Sequence, residues 1–95
     1  MTREEHLLTV ASEECAEVAQ RVSKALRFGL EEIQPGQRFT NAERIMHEYA
    51  DLCAAMEMLE EEGLVATGGD FAAMVSDKKE KVAAFLEYSK RCGTL

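Results

Sequence analysis

Two carboxylate pairs carry the chemistry most readily available to this chain. Glu14 and Glu17 lie in the run Ser12-Glu13-Glu14-Cys15-Ala16-Glu17-Val18, and Glu48 and Asp51 lie in His47-Glu48-Tyr49-Ala50-Asp51-Leu52. Each pair is spaced i, i+3, which on a helix puts both side chains on one face, one turn apart. Like charges so placed repel, so the arrangement calls for a reason, and a hard divalent cation is one such reason beside the plainer one of a solvated acidic face. An all-oxygen donor set suits a hard divalent ion such as Mg²⁺, with Mn²⁺ as a substitute, and no His or Cys sits at the offset a di-iron or zinc site would need. The plainer reading, solvated acid on the outside of surface helices, is the one adopted for Glu4-Glu5, Glu31-Glu32 and Glu60-Glu61-Glu62. The two pairs differ from those clusters in being mid-helix, identically spaced and next to apolar stripes.

The elements that must position these acids can be read from periodicity. A helix is expected over about 3–28, opened by Thr2 with Glu5 at capping-box spacing and stopped by Gly29. Its apolar positions are Leu7, Leu8, Ala11, Cys15, Val18, Val22, Ala25 and Leu26. On a helical wheel Glu14 falls roughly 70° and Glu17 roughly 130° from the centre of that stripe, flanking the core rather than entering it. A second helix is expected over 40–62, opened by Thr40 and Glu43 and ended by Gly63, with Ile45, Tyr49, Leu52, Cys53, Met56 and Leu59 apolar. Glu48 and Asp51 flank that stripe in the same way. A third, lysine-bearing helix is expected over 70–91 after the break Ala66-Thr67-Gly68-Gly69, with Asp70 as its cap. Residues 29–39 form the longest connection, and Pro35-Gly36 marks a turn inside it.

Bulk composition narrows the possibilities. Ninety-five residues with 46% hydrophobic and 31% charged content suit a single soluble domain over 1–95 with a modest core. A net charge of −7 argues against a binder of nucleic acid polymers. No run approaches a membrane span, and Glu4, Glu5 and His6 are unlike a signal peptide. Three widely spaced cysteines, Cys15, Cys53 and Cys92, fit reduced thiols in the cytoplasm, with Cys15 and Cys53 mostly buried on the apolar stripes. Three one-sided helices in so short a chain make an all-α helical bundle that a second copy would complete, as a homodimer or homotetramer.

Glu13-Glu14-Cys15-Ala16-Glu17 followed by Glu48-Tyr49-Ala50-Asp51 resembles the EExxE…ExxD signature of the MazG-like all-α nucleoside triphosphate pyrophosphohydrolases, across both acidic helices. That resemblance implies a Mg²⁺-dependent hydrolase converting a (d)NTP to (d)NMP and pyrophosphate. It implies that Glu14, Glu17, Glu48 and Asp51 hold the metal and that Glu13 or Glu14 orders the attacking water or takes its proton. The polyphosphate needs cations, for which Lys24, Arg27, Lys78 and Lys81 are candidates, with Lys79 beside them. Asn41 is a candidate nucleotide contact, and Phe28, Phe39 and Tyr49 are candidate stacking partners for a base. His47 adjoins Glu48 and could orient it. The competing expectation is a non-catalytic acidic helical interaction module, which would neither bind Mg²⁺ selectively nor depend on Glu14.

Overall fold

A computed structural model describes residues 1–95 as all-α, with α1 Arg3–Phe28, α2 Asn41–Glu61 and α3 Phe71–Cys92 and no strand. The helix starts follow from chemistry visible in the sequence. Thr2 and Thr40 each accept from the backbone N–H three residues on, while Glu5 and Glu43 reach back to the cap N–H, giving two complete capping boxes. Asp70 accepts from the Ala73 N–H at the head of α3. Gly29 and Gly93 close α1 and α3 with positive φ, a region glycine enters without a Cβ penalty.

The chain divides into two compact units, Met1–Val65 and Ala66–Leu95. In the first, α1 and α2 pack as a helical hairpin. Leu7, Ala11, Ala55 and Leu59 form its core, with Val10, Leu64 and Val65 packed against them. An ion pair from Arg3 to Glu62 at 2.8 Å ties the start of α1 to the residue after α2. The connection between the helices folds back on the head of α2. Backbone N–H groups of Asn41 and Ala42 donate to the carbonyls of Glu32 and Leu30. Gln37 N–H donates to Gln34 C=O at 2.9 Å with Gly36 at φ 86°, the positive φ that a type II turn requires after Pro35.

The buried face of the hairpin is rotated from the one expected. On α1 the inward line runs Leu7, Ala11, Glu14, Val18, Arg21, Ala25; on α2 it runs Asn41, Ile45, Glu48, Leu52, Ala55, Leu59. Leu8, Val22, Leu26, Tyr49 and Met56 are exposed instead. Cys15 is also exposed and Cys53 half-buried, so the expected burial of both thiols is corrected. The apolar stripes are wide enough for two faces, and the partner helix covers only one edge of each. The second unit is α3 and its flanks. None of its residues is buried, and Phe71, Met74, Val75, Val82, Phe85, Leu86 and Tyr88 are exposed.

Candidate metal and phosphate site

Because the inward lines pass through positions 14 and 48, two carboxylates stand in the seam where a two-helix core would ordinarily place Leu or Ala. Glu14 and Glu48 are half-buried, whereas Glu17 and Asp51 are exposed at its rim. The reading that all four only flank the core is therefore corrected for Glu14 and Glu48. One oxygen each of Glu14, Glu17 and Glu48 lies within 4.8 Å of the others. Oε2 of Glu14 and Oε2 of Glu48 are shut off from solvent and have no hydrogen-bond partner. Buried polar atoms normally find one, so these two oxygens are conspicuous exceptions in the hairpin, where Nη1 of Arg21 is the third.

The electrostatics follow from this crowding. Loss of hydration, then the charges of Glu17, Asp51 and Glu13, push the Glu14 carboxyl above its ordinary value. Glu48 is also raised, first by contact with the Glu17 carboxyl, then by desolvation and the charges of Glu17, Asp51 and Glu14. Asp51 lies outside the closest trio, yet its charge reaches both inner acids. Glu13 is exposed and acts on the site through Glu14.

The other expected residues divide between two places. Lys24, Phe28 and Asn41 come together with Glu32, Gln34 and Pro35 around a cavity of about 240 Å³. Asn41 is only 2% exposed, and its amide nitrogen donates to Gly29 C=O at 2.8 Å and Glu32 Oε1 at 2.9 Å. It pins the connecting loop while lining the cavity. Arg27 is exposed, with its guanidinium 4.8 Å from the Phe28 ring centre. Phe39 packs edge-on against His47 at 4.7 Å, and His47 helps to hold the Glu43 carboxyl, not that of Glu48, below its ordinary value. Lys78 and Lys81 are exposed on α3, and Lys78 borders its apolar groove.

One residue of the site has no counterpart in the sequence reading. Arg21 occupies the inward line of α1, and its Nη1 is shielded from solvent without a partner. Taking the buried face from the Leu7, Ala11, Val18 and Ala25 edge of the expected stripe rather than from its centre would have found it.

Along α1 the order is acid at Glu14 and Glu17, cation at Arg21 and Lys24, then the aromatic Phe28 at the cavity. The step from Glu17 to Lys24 is about 10 Å of helix. Chemically, the oxygen trio offers ligands to a hard cation, and the adjoining cations offer donors to an anion. No helix is long and apolar enough to cross a membrane. No protein-family model, curated protein or solved structure matches the chain.

Proposed function

We propose that this protein is a Mg²⁺-dependent nucleoside triphosphate pyrophosphohydrolase that cleaves a (d)NTP to (d)NMP and pyrophosphate. The observation that carries the reading is the convergence of Glu14, Glu17 and Glu48 on one point, with two shielded and unpartnered oxygens. Such a cluster is unfavourable alone and becomes favourable around a cation. The donor set fits Mg²⁺, or Mn²⁺ in its place, because every candidate ligand is a carboxylate oxygen. Glu14, Glu17 and Glu48 would hold the ion, and Asp51 would join or orient them from the rim. When bound, the ion would offset phosphate charge and acidify water. Glu13 or Glu14 would accept the proton of the attacking water. Lys24 would hold a phosphate at the mouth of the cavity, with Phe28 and Asn41 placed for the nucleoside. Arg27 is an exposed cation available to the outer phosphates.

A second copy completes the fold in this reading, as a homodimer or homotetramer, because each unit leaves an apolar face open. Three free cysteines suit a reducing cytoplasm.

Pyrophosphate release from a panel of common (d)NTPs tests the assignment. Turnover that requires Mg²⁺ and yields monophosphate is the expected result. Absence of turnover with every nucleotide, together with no Mg²⁺-dependent rise in melting temperature, would leave the acidic interaction module as the function.

A further inference from the structure

Arg21 follows Glu17 by four residues, the orientation in which a Glu–Arg helix pair forms most readily. It also lies two turns beyond Glu14 on the same inward line. No such pair exists: the ion pairs of the protein are Arg3–Glu62 and Lys90–Glu87. Instead Nη1 of Arg21 is enclosed without any acceptor, while Oε2 of Glu14 and Oε2 of Glu48 are enclosed without any donor. Arg cannot shed its proton, so the donor stays charged and unsatisfied. A seam built only for stability would neutralise these charges against one another. Here Arg21 stands one turn from Glu17 and two turns from Glu14 on the same helix, and no ion pair joins it to either. That pattern matches a ligand carrying both signs, a divalent cation bound to a polyphosphate.

Resting on the function proposed above, we propose that Arg21 is a substrate-binding residue whose Nη1 donates to a non-bridging phosphate oxygen beside the metal-ligating carboxylates. Phosphate is the favoured acceptor because the guanidinium fork matches its oxygens, and the protein's nearest carboxylates remain unpaired with it. Lys24, one turn further, extends the cationic track toward the Phe28–Asn41 cavity. The assignment separates two jobs along one helix, metal at Glu14 and Glu17 and phosphate at Arg21.

The test compares wild type with Arg21→Met, which keeps the apolar stem, and Arg21→Lys, which keeps the charge. Two affinities are measured on each: Mg²⁺ alone, and an inert α,β-methylene nucleoside triphosphate with Mg²⁺ present. Arg21→Met should bind Mg²⁺ alone as well as wild type or more tightly, since a nearby positive charge is gone. Its affinity for the Mg²⁺–analogue complex should fall about 10- to 100-fold, with Arg21→Lys between the two. Unchanged analogue affinity in Arg21→Met would overturn the assignment while leaving the pyrophosphohydrolase reading intact. Parallel loss of Mg²⁺ and analogue binding would also overturn it, making Arg21 a support for the acids. A wild type that binds neither ligand would sink the parent reading first. Should Arg21→Met fail to fold, Arg21→Lys decides the matter, because wild-type analogue affinity there would show that the fork is not used.

Discussion

The acids at the centre of the hairpin make opposite demands on stability and on the proposed activity. With no cation, Glu14, Glu17 and Glu48 repel, and the inner two lose water they would keep in the unfolded chain. Glu48→Gln should therefore maintain or slightly raise the metal-free melting temperature. It should also lower turnover and Mg²⁺ affinity by at least about 10-fold, the scale reached even by partners one step removed from a metal. Lost stability with retained turnover would make Glu48 structural. The same crowding gives a pH dependence with a definite sign. Both carboxyls have folded-state values above the ordinary 4.5, so between 4.5 and those values the folded protein holds protons that the unfolded chain has released. Stability from these groups is present at low pH and declines as pH rises through the raised values. Glu43 is held below its ordinary value, chiefly by its hydrogen bonds to Thr40, so its contribution is lost only as pH falls beneath 4.5. Metal-free wild type should melt higher just above pH 4.5 than at pH 7 where Glu14 and Glu48 dominate, and Glu48→Gln should flatten that slope. A melting temperature of the Glu48→Gln protein that tracks wild type across this range would exclude the site as its origin.

The helix boundaries were legible because their causes are local. Thr2, Thr40 and Asp70 cap within three residues of themselves, and Gly29 and Gly93 stop helices through their own backbone freedom. Thr40→Ala removes one such device and should cost about 1 kcal/mol, lowering the melting temperature by roughly 4–8 °C. Asn41→Ala acts differently, because Asn41 is buried and holds Gly29 and Glu32 in place. It should cost about 1–3 kcal/mol and loosen the cavity around Lys24 and Phe28, which limited proteolysis of residues 29–40 would detect. A protein with wild-type melting and proteolysis would remove Asn41 from this role. What periodicity could not resolve was which edge of a broad apolar stripe meets the neighbouring helix. Leu7 and Leu8, or Val18 and Val22, fit one stripe equally well, and only packing against α2 selects Leu7 and Val18. Choosing the stripe's centre put Glu14 and Glu48 beside the core and left Arg21 unnoticed. The identity and order of the acids were readable, since their i, i+3 spacing survives that rotation. Their depth was not, because depth belongs to the pair of helices and not to either one.

At the scale of the whole molecule, the apolar residues left outside form a pattern of their own. Leu8, Cys15 and Val22 recur at seven-residue intervals on α1, and Leu26, one turn further, is 83% exposed. On α2, Met46, Tyr49, Cys53 and Met56 follow a 3-4-3 spacing, the signature of a helix seam with another helix. Of this set only Cys53 is even half-buried. The hairpin's interior is small, with Leu7, Ala11, Ala25, Ala55 and Leu59 its only buried apolar side chains. A second, regularly spaced stripe beside so limited a core is better explained by helix association than by chance exposure. The same faces on a second copy would meet them with matching spacing, and a two-fold interface uses one patch twice. Light scattering at about 50 µM, well above a typical micromolar dissociation constant, should then give at least twice the 10.6 kDa chain mass. The melting temperature should rise with protein concentration, because association stabilises the folded state by mass action. Charging the stripe with Val22→Glu and Met56→Lys should shift the protein toward monomer and remove that concentration dependence. A compact monomer with a concentration-independent melting temperature would show that the hairpin stands on its small core alone.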